Sequence, residues 1–268
     1  PEKYLIEINK IANVETKLKL WSLINEFNDL CPGISESLDY LQAACEEIKS
    51  NKYFKKILAT ILGLGNILNG GTNKGQADGF SLDLLSKISG NKDSLGNSML
   101  TWVCAKTNKD DPSFEGLKGQ FPNLEKAAVF SLNESNNNIN KLKGISNQLK
   151  KHLEKLDVMD NFKQKSSEEI EQILKKVNEM EKKYENNCKV YEKTIKFYGY
   201  TEKDKFFTQN ELFFKMLIDF FNEVNKAMPK LDIKKILTNP DRVVGKKIDQ
   251  NLLMNNLMNQ LKQKVQAK

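Results

Sequence analysis

The sequence predicts an all-α protein. Apolar residues recur at three- and four-residue intervals through most of the 268-residue chain, and no segment alternates apolar and polar residues with a period of two. Only six prolines interrupt the chain, and 39% of its residues are hydrophobic, which is enough to bury a core. We expect a helical cluster, a long coiled-coil arm and a helix that returns to the cluster.

The first third of the chain predicts three helices. Apolar residues at helical spacing run from Tyr4 to Leu20 and continue to Phe27. A Pro-Gly pair at Pro32 predicts a break, after which a second helix restarts with Ser35 or Ser37 as its cap. A third helix is predicted from about Tyr53 to Asn69.

A glycine-rich segment interrupts this pattern, and shorter elements follow it. Six of the fourteen glycines fall between Gly63 and Gly79. Ser81 is the predicted cap of a short helix, and Ser94–Lys106 predicts another. The sequences DDPSFEG and QFPNLE each contain a proline and predict breaks.

The region after Pro122 predicts two long helices joined by a bend at DVMDNFKQKSS. Two apolar stripes of similar length step by three and four residues, which favours an antiparallel coiled coil within the chain over a dimer zipper. The first stripe comprises Ile139, Leu142, Ile145, Leu149, His152 or Leu153, and Leu156; the second comprises Ile170, Leu174, Val177, Met180, Tyr184, Cys188, Tyr191 and Ile195.

An aromatic helix is predicted after a break at Gly199. Its apolar face would comprise Leu212, Phe213, Met216, Leu217, Phe220, Phe221 and Val224. Residues 228–247 predict a linker, and residues 248–268 predict a short, basic, amphipathic helix.

Composition excludes several classes of function. The net charge of +7 favours acidic partners, but positive and negative charges are interspersed, so we expect a solvated lysine-rich surface and no nucleic-acid partner. The four cysteines are far apart and there is one histidine, so no metal site or cofactor is expected and the cysteines should be small core residues. The longest apolar stretch, 57–68, is too short to span a bilayer.

The glycine-rich segment does not match a nucleotide-binding loop. Gly70 and Gly75 have the Walker A spacing, but Gln76 and Ala77 follow where a lysine and a serine or threonine are required. No nucleophile and base occur in a recognisable catalytic pattern, so the chain is not expected to be an enzyme. The glycines instead predict a helix end near Asn69, positive φ angles and close approach of a partner to the backbone, with Asn66 and Asn69 binding freed backbone groups.

The segment LGNILNGGTNKGQADGFSLDLLSKI resembles the signature of the formin homology 2 (FH2) domain of formins. The matching residues are Gly65, Asn66, Asn69, Gly70, Gly71, Gly75, Gln76, Ala77, Gly79, Phe80, Leu82 and Asp83. The flanking sequences AACEEIKSNKYFKKIL, NKDSLGNSM and ELFFKMLIDFFNEVNKA are also similar to the family, so the resemblance runs from residue 1 to residue 227. Ile67, Asp78 and Val103 depart from the family pattern, which affects details of the pocket.

This resemblance implies an elongated FH2-type fold with an antiparallel coiled-coil arm and a post subdomain. FH2 domains form head-to-tail dimers that nucleate actin filaments and elongate them processively at the barbed end. The lasso of one subunit wraps the post of the other, and the family's lasso-binding loop corresponds here to Gly65, Asn66, Asn69, Gly70, Gly71, Gly75, Gln76, Gly79 and Phe80. Lys92 matches the family's actin-contacting lysine, which suits the acidic surface of actin. The implied location is cytoplasmic, at the actin cytoskeleton and cell cortex.

The resemblance also gives expectations about the two ends of the chain. Residue 1 would fall partway through the family's knob, without the lasso and linker, so this chain alone should nucleate poorly. MNNLMNQLKQK resembles the diaphanous autoregulatory motif, through Met254, Leu257, Met258, Leu261 and Lys262. In a diaphanous-related formin, that segment binds an N-terminal inhibitory domain, which a Rho-type GTPase releases. A plain amphipathic tail helix is the equal alternative, and profilin would be an indirect partner.

Two function classes therefore remain at this point. The first is a fragment of an actin-assembly factor, supported by the glycine-asparagine signature and Lys92. The second is a coiled-coil scaffold or tethering protein without direct actin activity, which would not require such a loop.

Overall fold

The computed structural model describes residues 6–8, 10–72, 75–90, 92 and 96–230, with the side chain of residue 230 left out. The α-helices are α1 (Val14–Ser50), α2 (Lys52–Leu68), α3 (Met99–Asp110), α4 (Leu124–Ala128), α5 (Leu132–Glu154), α6 (Asn161–Phe197), α7 (Lys205–Thr208) and α8 (Asn210–Ala227). Short 3-10 helices span Leu82–Ser86 and Met228–Lys230. Within this part of the chain there is no strand, and the predicted all-α class is confirmed.

The chain divides into two compact units. The first unit contains the residues up to Cys45 together with Lys126–Glu211, and the second contains Glu46–Glu125 and the chain from Leu212 onward. The predicted tail helix and nearly all of the predicted linker lie outside the described residues.

The first unit is built on the α5–α6 hairpin, and the predicted antiparallel pairing is confirmed. The apolar residues that face each other in the hairpin are at most 2% exposed: Ile139, Leu142 and Leu149 of α5, and Ile170 and Ile195 of α6. The six residues between Glu154 and Asn161 reverse the chain, and Asp160 caps α6 by accepting from the backbone N–H of Phe162 at 2.8 Å.

Helix α1 is the third long helix of this unit. The heptad pattern alone did not predict that it packs on the α5–α6 hairpin. Three ion pairs join α1 to the hairpin and its turn: Lys17 Nζ with Asp160 Oδ2 at 2.7 Å, Glu26 with Lys141 at 2.8 Å, and Asp39 with Lys183 at 2.7 Å. A row of buried residues on α1, including Leu20, Phe27, Leu38 and Leu41, supplies the apolar face. The arm is therefore a three-helix assembly.

The predicted break at Pro32 is wrong. Helix α1 continues through Pro32, and neither Ser35 nor Ser37 begins a helix. Proline removes one backbone hydrogen bond, at a cost of about 3 kcal/mol in a helix interior. Buried residues on both sides of it, Phe27, Ile34 and Leu38, hold the helix in register, while Pro32 itself faces solvent. Tertiary packing thus outweighs the local preference of one residue.

Three predicted boundaries also differ. The helix predicted from Tyr4 is interrupted at residues 10–13, where Asn13 has a φ of 57°, and α1 begins at Val14. The bend predicted up to Ser167 ends earlier, because Asp160 caps the helix that starts at Asn161. Helix α3 starts at Met99, after its cap Ser98, and not at Ser94.

The second unit has an aromatic core. Phe54 of α2 contacts Phe221 of α8 edge-on, with ring centroids 5.1 Å apart, and Phe121 stacks on Phe221 at 4.4 Å. The side chain of Asn225 accepts the backbone N–H of Leu117 at 2.8 Å, which ties the irregular segment before α4 to α8. This core holds the first turn of α2, and the other end of α2 leads into the glycine-rich segment.

The aromatic helix α8 is buried more broadly than predicted. Phe213, Leu217, Phe220, Phe221 and Val224 are buried as expected. Phe214 is also fully buried, whereas Leu212, which was placed on the apolar face, is 37% exposed. Among the described residues, no helix combines the length and the apolarity needed to cross a membrane.

Candidate partner-binding loop

The glycine-rich segment, Gly65–Asp83, contains the last turn of α2, the loop that follows it and the first two residues of the 3-10 helix Leu82–Ser86. Helix α2 ends where predicted: the N–H of Asn69 still donates to the carbonyl of Gly65 at 2.9 Å, and the N–H of Gly70 donates to Ile67 at 3.1 Å. The hydroxyl of Thr72 donates to the carbonyl of Asn69 at 2.7 Å, which satisfies one of the carbonyls freed at the helix end.

Asn66 closes the loop. Its Oδ1 accepts the backbone N–H of Ala77 at 2.8 Å, and its Nδ2 donates to the carbonyl of Ala77 at 3.0 Å. Both hydrogen-bonding groups of one loop residue are therefore held by a single side chain from the last turn of α2. An amide is required here, because an amide offers a donor and an acceptor side by side.

The backbone of the loop itself disfavours a side chain at three glycines. Gly71 has a φ of +77°, a region that L-residues with a side chain rarely adopt. A Cβ atom added at Gly75 would lie 3.0 Å from the carbonyl oxygen of Asn69, and one added at Gly70 would lie 3.1 Å from that of Ile67. Substitution at these three positions would therefore disturb the loop before any partner was considered.

Gly65 and Gly79 differ from the other three. A Cβ atom at either position would meet nothing within 4 Å, and neither has a positive φ in the range that excludes side chains. Gly79 is also exposed. Nothing in the described chain requires glycine at these positions, so they are the loop glycines at which close approach of another molecule remains the physical reason for a small residue.

The far end of the loop is anchored in the second unit. Ser81 Oγ accepts the N–H of Asp83, so Ser81 caps the 3-10 helix as predicted. Leu82 and Leu85 are buried, and Phe80 is half-buried. Ile67 is 75% exposed near the other end of the loop. The loop thus has fixed ends and presents apolar side chains beside open backbone.

Lys92 lies in a separate exposed loop of the same unit. It pairs with Ser98 in an isolated antiparallel bridge, and Ser98 Oγ accepts the N–H of Thr101 at 3.1 Å, which caps α3. Gly96, two residues before Ser98, has a φ of +85°. The backbone of Lys92 is therefore paired with Ser98, and Lys92 is exposed.

Hydrogen bonds of the Asn66 side chain and of the Asn69 backbone hold the described residues of the loop together. Met254, Leu257, Met258, Leu261 and Lys262 lie outside the described residues. Sequence reasoning missed two features: the hydroxyl of Thr72 as a cap for Asn69, and the positive φ of 65° at Gln76. A threonine three residues after a helix-ending asparagine could have indicated the first.

The site offers no metal centre in the described part of the chain, where no group of three or more histidine, cysteine or acidic side chains could hold an ion. Cys31, Cys45 and Cys104 are buried and form no disulfide, and Cys188 is half-buried. Burial raises the pKa of Cys104 to about 12, so this thiol is unreactive at neutral pH. Cys31, Cys45 and Cys104 are small core residues, as predicted, whereas Cys188 is not fully buried.

The chain matches a known family model over most of its length. The model of the Formin Homology 2 Domain matches residues 1–225. The chain is 41% identical over 100 residues to Formin-like protein 20 of Arabidopsis thaliana, which covers 37% of this chain and 6% of that protein. It is 31% identical over 157 residues to Formin-G of Dictyostelium discoideum, which covers 58% of this chain and 14% of that protein.

A third relative, Formin-like protein 21b of Arabidopsis thaliana, is 33% identical over 132 residues, which covers 49% of this chain and 33% of that protein. The chain thus spans a third or less of the length of these relatives. The family model, in contrast, covers more than four fifths of this chain. The chain belongs to the formin homology 2 domain family.

Proposed function

We propose that this chain acts in actin assembly, as the part of an FH2 domain that carries the post, and that the Gly65–Asp83 loop receives the lasso of another FH2 subunit. In its dimeric form the domain would nucleate filaments and elongate them at the barbed end. Family membership supports an actin-related role without enzymatic chemistry.

The observation that carries the proposal is the difference between the loop glycines. A side chain would be crowded at Gly70 and Gly75 and strained at Gly71, whereas Gly79 has open space around it and no backbone reason to be glycine. An aromatic ring of a partner could contact bare backbone there, with Phe80 and Ile67 as apolar neighbours. A coiled-coil scaffold would have no use for such a surface.

Lys92 is the proposed actin-contacting residue. Lys92 is exposed, and its backbone is paired with Ser98 in the isolated bridge. A basic side chain on a fixed backbone suits recognition of an acidic surface, because little ordering is required on binding.

Cosedimentation with actin filaments tests this proposal. We expect Lys92→Asp to weaken binding about tenfold, whereas the matched change Lys118→Asp, at another exposed lysine of the same unit, should leave it within twofold. Equal binding by the two variants would reject the role of Lys92. Failure of the unmodified chain to sediment with filaments would reject the actin proposal and favour the scaffold.

We also propose that residues 248–268 are a regulatory segment of a diaphanous-related formin, through Met254, Leu257, Met258, Leu261 and Lys262. On this proposal the segment binds the protein's own N-terminal inhibitory domain, and a Rho-type GTPase and profilin act indirectly at the cell cortex. A peptide of residues 248–268 that does not bind that domain would reject this role.

A further inference from the structure

The first unit contains a long groove that the proposed function does not use. Two adjoining cavities of about 560 and 670 Å³ lie along α1, and Asp29 and Leu30 line both. Along α1 the lining runs from Leu18 to Tyr40, a helical distance of about 33 Å. The opposite wall is the segment from Lys126 to Lys141, which includes the first half of α5. We call this feature the α1–α5 groove.

The α1–α5 groove exposes an unusual amount of apolar surface. Trp21 is 60% exposed, Leu18 is 50% exposed, and Val129 is 87% exposed. Leu30 and Phe130 are half-buried in the same lining. Large side chains that line one continuous concave surface are typical of a site that accepts an apolar helix face.

The charged side chains of the groove that form no internal ion pair or cation–π contact with another described residue are acidic. Lys141 is paired with Glu26 at 2.8 Å, and the ammonium of Lys126 lies 4.1 Å from the centroid of the Tyr40 ring. Asp29 and Glu134 are exposed and take part in no ion pair within the part of the chain that the structure describes. The two lysines are thus engaged, whereas the two carboxylates are available to a basic ligand.

The chain itself contains a segment with matching chemistry. Residues 248–268 include Leu252, Leu253, Leu257 and Leu261 at helical spacing, and three lysines against one acid, Asp249. As a helix these 21 residues would be about 32 Å long, close to the length of the groove. Covalent attachment also raises the effective concentration of this segment, relative to a separate ligand, wherever the linker can span the distance.

We propose that residues 248–268 occupy the α1–α5 groove, with their leucines against Trp21 and Leu18 and their lysines towards Asp29 and Glu134. This occupancy would compete with binding of the same apolar face by an inhibitory domain. The proposal does not depend on actin binding, so its failure would leave the proposed actin function unaffected.

Fluorine NMR of the full chain tests the proposal, because the chain has only two tryptophans, Trp21 and Trp102. With 5-fluorotryptophan incorporated, the resonance of Trp21 is identified by its absence in Trp21→Phe. We expect Leu257→Asp combined with Leu261→Asp to shift the Trp21 resonance and to increase its exposure to a soluble paramagnetic quencher. The Trp102 resonance should stay unchanged, as should both resonances in the control Asn256→Asp.

Binding of the segment in trans gives a second measurement. A fluorescein-labelled peptide of residues 248–268 should bind the full-length Leu257→Asp, Leu261→Asp chain saturably. Adding Asp29→Lys and Glu134→Lys should weaken that binding about tenfold, since two favourable charge contacts become repulsive. The control Glu179→Lys, at an exposed position on α6, should leave it within twofold. The proposal would be overturned if the Trp21 resonance were unchanged by the tail substitutions. It would also be overturned if Asp29→Lys with Glu134→Lys left the affinity for the peptide unchanged.

Discussion

The hydrogen bonds of Asn66 to Ala77 determine the shape of the candidate loop, and Asn66→Ala removes both of them. The two bonds, of 2.8 and 3.0 Å, lie at an exposed site, so each contributes about 0.5–1 kcal/mol to holding the loop closed. Their loss should make loop opening more favourable by about 1–2 kcal/mol, which corresponds to a five- to thirtyfold change in the opening equilibrium.

Hydrogen exchange at the backbone amide of Ala77 measures this change directly, because that N–H is the donor to Asn66 Oδ1. We expect exchange of Ala77 to accelerate by the same five- to thirtyfold, while the buried amides of α2 keep their rates. The control Asn108→Ala removes a comparable amide-to-carbonyl bond, to Phe114 at 2.8 Å, outside the loop. Unchanged exchange at Ala77 in Asn66→Ala, or an equal acceleration in Asn108→Ala, would refute the assigned role.

The remaining predictions concern stability and its pH dependence. Gly75→Ala should increase limited proteolysis within the loop, because its Cβ would lie 3.0 Å from the carbonyl of Asn69, whereas Gly79→Ala, in open space, should be cleaved as slowly as the unmodified chain. Asn210→Ala should lower the free energy of unfolding by about 2–4 kcal/mol in denaturant titrations. The buried amide of Asn210 donates to the carbonyl of Phe130 at 2.6 Å and accepts from the N–H of Leu132 at 2.9 Å. The control Asn133→Ala, at an exposed residue with one hydrogen bond, should lower it by less than about 1 kcal/mol. The hydrogen bond from Lys17, together with the backbone N–H groups that Asp160 caps, holds the pKa of Asp160 below its usual value, so its contribution is complete at neutral pH and is lost as the pH falls through that lowered pKa. Thermal unfolding of Asp160→Asn should therefore depend less on pH below about 4 than that of the unmodified chain, and identical acid dependence would contradict the assignment.

The periodicity of the sequence predicted the existence of most helices and the pairing of α5 with α6. It failed at Pro32, because buried residues before and after the proline keep one helix continuous, a feature of tertiary packing that no local rule contains. It also misplaced Leu212 and missed Phe214, because α8 is buried on more than one side and a single apolar face does not describe it.

The sequence predicted which residues form the candidate loop, but only some of the contacts that they make. The sequence indicated a helix end near Asn69 and a role for Asn66 in bonding freed backbone groups. It did not indicate that Asn66 bonds Ala77, eleven residues later, because that contact depends on the path of the loop. Nor could it separate the glycines that the loop requires from Gly79, since this distinction rests on the space around each backbone position.

Subunit association tests the central claim most directly, since the claim is that the loop receives another FH2 subunit. The comparison uses Gly79→Leu and Gly63→Leu in a chain that includes the lasso, because an added Cβ meets nothing within 4 Å at either glycine. Sedimentation velocity should show a dimer for the unmodified chain and for Gly63→Leu, and mainly monomer for Gly79→Leu at the same concentration and with the same melting temperature. A fully dimeric Gly79→Leu chain would contradict the account.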